Sequence, residues 1–498
     1  MNVNPITRLD YPDPDVIRVE DTYYMVSTTM HFMPGCEILQ SFDLVNWEHV
    51  TYVYETLDHT DAQQLKSGQN IYGQGMWAAS LRYHEGRFCI CFVANDTRKT
   101  YLYTSEKIDG PWKKQLIEGF YHDGSLLFDE DGRNYIVYGN DEIWITELNE
   151  DLTAPKKDGL HRLLVSDHKN PELGYEGSHI QKINGYYYIF LIHSLRDRWM
   201  RTEACFYSDS LEGEFTGGDV LCDDRGYCGQ GVAQGGIVDT PDGKWYAMLF
   251  QDSRAVGRIP ILLPVTWKDH FPFFGQNGHV PEEIEVHSTR PGYIYQPLVG
   301  SDDFCNGLLP RWQFNHDPDP RYYHLDALQG TYTITTREVC TELTQAVNTL
   351  TQRMSYPSCA AEVTVDASAL KEGDVAGLCA LQSCYAAVGI TKHHGKYEVL
   401  MLDKKEDGIL DMTEGTVVES HQMDFRLEAD FCNMKDEARC YYRVNKGDWL
   451  PIGTVHRLYF KLDHFTGCRF GLFCYAAEET GGSACFRDFK YYDVDEIS

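Results

Sequence analysis

The chain has 498 residues, of which 43% are hydrophobic and 13% aromatic, and it carries a formal net charge of −31 at pH 7. This length suits two domains, and the composition is that of a globular protein that can bury a large core. So negative a charge argues against nucleic acid or an anionic membrane surface as a partner, and favours a neutral or cationic ligand.

The first residues, MNVNPITRLDYPDPD, lack the basic and apolar regions of a signal peptide, and no stretch reaches the roughly 18 apolar residues of a membrane span. We therefore expect a cytoplasmic protein without a membrane partner. The alternative that a leader segment has been removed stays open. The 16 cysteines show no CxxC or Cys/His metal spacing, which favours reduced thiols. A homo-oligomer remains an open alternative.

Five segments of the first 275 residues share one pattern: a short apolar strand, a tight turn and an aromatic-rich strand. Their spacing is about that of four-stranded blades, so the sequence predicts an all-β fold that begins with a five-bladed β-propeller over residues 1–297. A β-sandwich or two separate β-domains would not explain the shared register. The predicted turns are Asp21-Thr22, Glu85-Gly86, Asp131-Gly132, Asn184-Gly185 and Asp242-Gly243.

Counting eight residues back from each turn selects one position per segment. In a propeller, such positions converge on one mouth of the central channel. Three carboxylates that converge on one opening repel one another, which is unfavourable for stability and favours a functional role for them. The structural alternative is that they are turn and N-cap residues that happen to share this register. The five positions are Asp13, Trp77, Asp123, Glu176 and Gln234.

Two carboxyl groups across a pocket are the minimum for hydrolysis of a glycosidic bond, and a third nearby raises the pKa of the acid by like-charge repulsion. Asp123 and Glu176 come from consecutive segments and should be neighbours, whereas Asp13 comes from another side. We therefore predict Glu176 as acid, Asp123 as its tuner and Asp13 as base. Trp77 suits stacking on a sugar face.

These residues lie in segments that resemble glycoside hydrolase family 43: YPDPDVIRV, HDGSLLFDEDGRNYIVYG, YEGSHIQKINGYYYIF and VGRIPILLPVTWKDHFPFFG. The resemblance implies a five-bladed propeller that inverts configuration by direct attack of water. It also implies Asp13 as general base, Asp123 as pKa modulator and Glu176 as general acid. For this route, acid and base should stand roughly 6.5–9.5 Å apart, whereas about 5 Å would indicate a retaining enzyme.

The resemblance extends to three binding positions. Arg258 is similar to a pocket arginine that holds sugar hydroxyls and keeps the base ionised, and Phe32 is similar to an aromatic residue that flanks the terminal sugar. Gln234 stands where many relatives carry histidine, and a neutral amide there puts a central metal in doubt. We predict no metal in the propeller and no cofactor.

Residues 298–498 read as a second domain of short alternating strands, which is typical of a jelly-roll β-sandwich. NTLTQRM, AGLCALQS and FRDFKYYDV resemble the concanavalin-like sandwich attached to β-xylosidases of this family. The resemblance implies that this domain narrows the pocket mouth and favours exo attack; an independent carbohydrate-binding module is the rival. A structural calcium ion at acidic turns such as DPDPR is open, although a solvated loop is favoured.

The predicted function is therefore an inverting exo-glycoside hydrolase that releases terminal β-D-xylose, α-L-arabinofuranose or both from short xylo- or arabinoxylo-oligosaccharides. α-L-Arabinofuranosidase as the main activity is the close alternative. A carbohydrate-binding propeller without catalysis is a more distant one, and an open endo-arabinanase groove is disfavoured by the appended sandwich.

Overall fold

The computed structural model describes residues 2–227 and 229–493, and almost all of its regular structure is β-strand. The tail 494–498 of the predicted second domain lies outside the described residues. Aromatic and β-branched runs form the buried strands, as in Tyr186–Ser194, where all eight residues from Tyr187 onward are buried, among them Ile189, Phe190 and Ile192. The predicted all-β fold is confirmed.

Five antiparallel sheets of four strands each form the blades of a propeller, numbered here in chain order, and the predicted blade number is confirmed. Blade 1 comprises Asp15–Val19, Thr22–Val26, Gly35–Ser41 and Glu48–Tyr54. Blade 2 comprises Met76–His84, Arg87–Ala94, Lys99–Ser105 and Lys113–Ile117, and blade 3 Ser125–Phe128, Asn134–Asn140, Glu142–Leu148 and His161–Ser166. Blade 4 comprises Glu176–Ile183, Tyr186–Ser194, Arg201–Ser208 and Thr216–Leu221, and blade 5 Val232–Asp239, Trp245–Asp252, Arg258–Lys268 and Phe271–Phe274.

The first strand of each blade is the innermost one, and each innermost strand contacts the next around a closed ring, with blade 5 meeting blade 1. The chain's start helps to close this ring: Asn2–Val3 pairs with Glu283–Ile284, and the Asn4 side chain bonds both the N–H and the C=O of Leu262 in blade 5. The N-terminal ends of all five innermost strands therefore face one opening, which we call the funnel.

Two larger antiparallel sheets form the concanavalin-like sandwich, and its predicted fold is confirmed. One sheet comprises Leu410–Met412, Lys396–Lys404, Ala386–His393, Val375–Leu381, Arg469–Tyr475, Leu350–Arg353, Gln313–Asn315 and Phe32–Met33, with Thr416–Val418 beside Lys396–Lys404. The other comprises Tyr323–Asp326, Thr331–Thr335, Ser483–Asp493, Ser358–Asp366, Gln422–Asp430, Glu437–Val444 and Leu450–Arg457. Single 3-10 turns occur at Lys66–Gly68, Arg254–Val256, Leu343–Gln345 and Cys432–Met434.

Buried polar groups join the two domains. Arg353 of the sandwich places Nη1 2.9 Å from Glu37 Oε2 in blade 1, and its guanidinium carbon lies 4.1 Å from the centre of the Tyr11 ring. Burial opposes ionisation of Glu37, but the Arg353 guanidinium holds the pKa of this carboxyl below its usual value. An ion pair of this kind is costly to break, so it fixes the sandwich on the propeller.

The cysteines that the structure describes are all free thiols, and most of them are buried among core residues. Across the described ranges, no helix has the length and apolar character that crossing a membrane requires.

Candidate active site

One backbone position at the funnel recurs in every blade. It has a positive φ, of 52° at Asp13, 21° at Ala78, 48° at Asp123, 64° at Gly177 and 62° at Gln234. Two residues later, each innermost strand pairs with its neighbour, for example at Asp15 with Val26. The left-handed turn directs the chain into the channel, so the five positions are structurally equivalent.

This equivalence corrects the predicted register by one residue in two blades. The first turn lies at Glu20–Asp21 rather than Asp21-Thr22, because Val19 pairs with Thr22. Trp77 and Glu176 therefore precede the recurrent position instead of occupying it. Their strands carry a bulge at this point, and both side chains still lie at the funnel.

Asp13 lies at the funnel with 6% of its surface exposed, and both carboxylate oxygens have partners. Arg258 Nη1 donates to Oδ1 at 3.0 Å, and Thr28 Oγ1 donates to Oδ2 at 2.6 Å. Thr28 Oγ1 also accepts the Ala78 N–H at 2.8 Å, which ties Asp13 to blade 2 beside Trp77. The carboxylate is thus held in one orientation by a cation and a hydroxyl group.

Asp123 is buried beside the other two carboxylates. Its Oδ2 accepts the Gly177 N–H at 3.0 Å, so Asp123 is bound to the residue that follows Glu176. Burial raises the pKa of Asp123 to about 6; His122 opposes this rise, and the charges of Glu176 and Asp13 add to it. Because Asp13 and Glu176 both act on Asp123, the structure brings the three predicted carboxylates together.

Glu176 is partly exposed at the funnel and uses one oxygen for protein contacts. Oε2 accepts Asn140 Nδ2 at 2.7 Å and lies 3.4 Å from His122 Nε2. No described residue hydrogen-bonds to Oε1. This oxygen is therefore available to a ligand in the funnel.

His122 lies between two carboxylates, with Nε2 3.5 Å from Asp123 Oδ2 and 3.4 Å from Glu176 Oε2. Asp123 above all raises the pKa of His122 to about 9, against the effect of burial. The three side chains place ligand-type atoms within 4.8 Å of one another. An imidazolium ion at this position offsets part of the negative charge of the two carboxylates.

Trp77, Arg258 and Gln234 also lie at the funnel. The Trp77 ring is 6.1 Å from that of His122, and the Arg258 side chain is buried against Asp13. Gln234 packs so closely on Gly177 that a Cβ there would lie 2.7 Å from the Gln234 side chain. Gln234 N donates to Glu203 Oε2 at 2.7 Å, which anchors this position to blade 4.

One wall of the site comes from the sandwich domain. The Phe465 ring centre lies 4.3 Å from the guanidinium carbon of Arg258 and 5.4 Å from the Trp77 ring. Phe465 has φ of 57° and donates its N–H to Lys461 O, so a tight turn presents the ring to the propeller. The funnel is thus partly closed on the side of Arg258.

Phe32, predicted to flank the sugar, is placed elsewhere. It belongs to the short strand that joins the sandwich sheet, with Asn315 as its partner. Its side chain has no exposed surface and lies 3.5 Å from the guanidinium carbon of Arg469, next to His31. The ring therefore serves the interface between the domains and does not reach the pocket surface, which corrects the predicted contact.

A buried ionic network closes the channel beneath the carboxylates. Asp15 Oδ2 accepts Arg82 Nη1 at 2.8 Å, and Asp15 Oδ1 lies 3.1 Å from His179 Nδ1. Arg82 also donates to Ser125 Oγ and to the Ile180 carbonyl, so one guanidinium joins blades 1, 3 and 4 to blade 2. These paired groups form the inner end of the funnel, which we call the channel floor.

At the acidic turn DPDPR, basic side chains of the protein pair with both carboxylates. Asp317 Oδ2 lies 2.8 Å from His59 Nδ1, and Asp319 bonds Arg321 through both carboxylate oxygens. Since both carboxylates are paired with side chains of the protein, their arrangement does not support a calcium site at this turn.

The arrangement combines a carboxylate held by arginine, a carboxyl group with one free oxygen, and a third carboxylate beside it, all around an opening walled by aromatic rings. Such a set can donate a proton on one side of a bond and activate water on the other. The model for "Glycosyl hydrolases family 43" matches residues 3–272 of the chain. The chain belongs to glycosyl hydrolase family 43. It is a glycoside hydrolase, and residues 301–492 match the "Beta xylosidase C-terminal Concanavalin A-like domain".

Relatives of this family 43 enzyme match it along its length. A β-xylosidase of Formosa agariphila is 26% identical, with 99% of this chain and 89% of the relative covered. A non-reducing end α-L-arabinofuranosidase of Bacteroides ovatus is 23% identical over 82% of this chain and 79% of its own length.

Two solved structures show the same architecture. The bifunctional GH43-CE protein of Bacteroides eggerthii superposes with a TM-score of 0.93 at 42% identity, over 100% of this chain; the chain spans 64% of that longer protein. An engineered family 43 hydrolase that displays both endo-xylanase and exo-arabinofuranosidase activity superposes with a TM-score of 0.86 at 27% identity, over 99% of each chain.

Proposed function

We propose that this family 43 enzyme is an inverting, exo-acting hydrolase that releases terminal β-D-xylose, α-L-arabinofuranose or both from short xylo- or arabinoxylo-oligosaccharides. The observation that carries the proposal is the meeting of Asp13, Asp123 and Glu176 at one funnel. The relatives named β-xylosidase and α-L-arabinofuranosidase support this class of substrate.

In the proposed reaction, Glu176 donates its carboxyl proton to the glycosidic oxygen as the bond to the anomeric carbon breaks. A water molecule attacks that carbon from the opposite face and gives its proton to Asp13, so the sugar leaves with inverted configuration. The free Oε1 of Glu176 and the doubly held carboxylate of Asp13 suit these two roles. Their separation of roughly 6.5–9.5 Å remains a prediction.

Asp123 and Arg258 support these two residues. Through the Gly177 N–H, Asp123 holds the backbone beside Glu176, and its charge disfavours ionisation of the acid. Arg258 orients Asp13 through an ion pair whose two side chains are both nearly buried. Trp77 and Gln234 line the same opening and are proposed to contact the sugar.

The partial closure of the funnel by Phe465 supports exo attack. Phe465 and Trp77 stand 5.4 Å apart at the junction of the domains, where a longer glycan would have to pass. We propose 1–297 as the catalytic domain and 298–498 as the domain that shapes its mouth. Enzymes of family 43 generally need no cofactor, and we propose none here. The free cysteines support a reducing compartment such as the cytoplasm.

The test compares hydrolysis of nitrophenyl β-D-xylopyranoside with that of nitrophenyl α-L-arabinofuranoside, while proton NMR identifies the first anomer released. Inversion predicts α-xylose from the first substrate and β-arabinose from the second. Glu176→Gln should abolish hydrolysis of xylobiose and keep sugar binding, since the amide has no proton to donate. Release of the retained anomer, or unchanged turnover by Glu176→Gln, would refute the proposal.

A further inference from the structure

One charged residue beside the three predicted carboxylates, His122, has no role in the proposed reaction. The residue directly precedes Asp123 on the loop that enters blade 3, and its side chain is about one-fifth exposed to the funnel. Its Nε2 faces Glu176 Oε2 at 3.4 Å and Asp123 Oδ2 at 3.5 Å. No described residue hydrogen-bonds to Nδ1. His122 thus contacts both carboxyl groups that handle the acid proton.

The contact is made to one oxygen of Glu176. Asn140 Nδ2 and His122 Nε2 both point at Oε2, at 2.7 and 3.4 Å. With two N–H donors on Oε2, the carboxyl proton is best placed on Oε1, the oxygen that faces the funnel. His122 and Asn140 together therefore orient the acid toward the bond that it must protonate.

The charge of His122 follows from the groups that face it, namely Asp123, Glu176 and Asp13. All three are acidic, and together they favour the imidazolium ion. Arg258, a cation of the same site, pairs with Asp13 Oδ1 at 3.0 Å. A cation 3.4 Å from Glu176 acts on the acid with the opposite sign to Asp123.

We propose that His122 is a positioning residue that holds the acid carboxyl of Glu176 in place and, as a cation, offsets the repulsion exerted by Asp123. This inference rests on the proposed role of Glu176. Its consequence is a stronger acid, because a neighbouring cation stabilises the carboxylate left after proton donation. The enzyme then protonates poor leaving groups more readily, and loses its acid proton at a lower pH.

The experiment compares pH profiles of kcat/KM for the wild type, His122→Phe and His122→Gln on two substrates. Xylobiose needs protonation of its leaving group, whereas 2,4-dinitrophenyl β-D-xyloside does not. The matched control is His84→Phe, because His84 stacks on Phe128 away from the funnel. Circular dichroism and thermal melts establish that each variant is folded.

Loss of the cation in His122→Phe should move the basic limb of the xylobiose profile up by about 1 pH unit or more. The plateau kcat on xylobiose should fall on the order of threefold to tenfold, with little change on the dinitrophenyl substrate. His122→Gln keeps an N–H donor without the charge, so it should shift the limb equally and lose less kcat. His84→Phe should leave the profile where it is.

An unmoved or lowered basic limb in folded His122→Phe or His122→Gln overturns the inference, as does an equal loss of kcat on both substrates. Glu176→Gln separates this failure from that of the proposed function. If Glu176→Gln loses xylobiose hydrolysis and keeps dinitrophenyl release, the acid is assigned, and an unmoved limb refutes His122 alone. If Glu176→Gln still hydrolyses xylobiose, the proposed function itself fails.

Discussion

The ring of Phe465 lies 4.3 Å from the guanidinium carbon of Arg258, although the two residues come from different domains. Arg258 donates in turn to Asp13 Oδ1 at 3.0 Å. The sandwich domain therefore contacts the predicted base, Asp13, indirectly, through the guanidinium group of Arg258. A guanidinium between an aromatic face and a carboxylate is fixed in orientation, which prepares it to hold sugar hydroxyls.

Phe465→Ala should lower kcat/KM by about tenfold, mainly through a higher KM, because it removes the ring that packs on Arg258 and faces Trp77. Initial rates on nitrophenyl xyloside and arabinofuranoside measure this effect. Leu328→Ala is the matched control, since Leu328 is 94% exposed in the sandwich. Equal kinetics for Phe465→Ala and the wild type would show that the wall has no part in binding.

Asp123→Asn keeps an oxygen that accepts the Gly177 N–H and removes the charge beside Glu176. With less repulsion, the acid ionises more easily, so the basic limb of kcat/KM should move down by about 1 pH unit, opposite to the change predicted for His122→Phe. The plateau rate should also fall, on the order of a hundredfold. A pH series on xylobiose measures both effects. An upward shift would contradict the role of Asp123.

The repeat that predicts the propeller is local: each hairpin carries its own turn and aromatic strand, so five of them are visible in one chain. The same locality caused the one-residue error, because Asp21-Thr22 resembles a turn while the backbone turns at Glu20–Asp21. His122 lies next to Asp123 in the segment HDGS, and this adjacency to a predicted carboxylate is the signal in the sequence that indicates it.

Other site residues are set by tertiary contacts that no local pattern encodes. Asn140 reaches Glu176 from the strand of another blade, and Phe465 comes from the second domain. The predicted contact of Phe32 with the sugar is wrong for the same reason, since an aromatic residue near the funnel can equally pack against a neighbouring domain. Its burial under Arg469 depends on a sandwich strand more than 400 residues later in the chain.

The interface between the domains should make stability depend on pH. The rings of His316 and His464 lie 4.8 and 5.1 Å from His31, and all three side chains are buried. Burial lowers the pKa of each, that of His464 to about 3, so the native protein keeps them neutral. The unfolded chain binds protons on them below about pH 6.5, so stability falls as the pH drops through that value.

His31→Phe tests this dependence, because no described residue hydrogen-bonds to either nitrogen of His31. At pH 5, each such histidine costs about 2 kcal/mol of stability relative to neutral pH. The variant should therefore lose about 2 kcal/mol less than the wild type between pH 7.5 and pH 5, measured by urea unfolding. His84→Phe serves as control. Parallel pH curves for His31→Phe and the wild type would contradict this account.

Arg82 offers a test of the channel floor. Its guanidinium neutralises Asp15, whose side chain is 1% exposed, and bonds groups of two further blades. Arg82→Met should destabilise the protein by about 3–5 kcal/mol, because it leaves a buried carboxylate with His179 as its remaining side-chain partner. Adding Asp15→Asn should restore part of the loss, since the neutral amide needs no counter-charge. Thermal melts of the two single variants and the double variant measure the coupling. Strictly additive losses would mean that Arg82 stabilises the propeller through its carbonyl contacts, independently of Asp15.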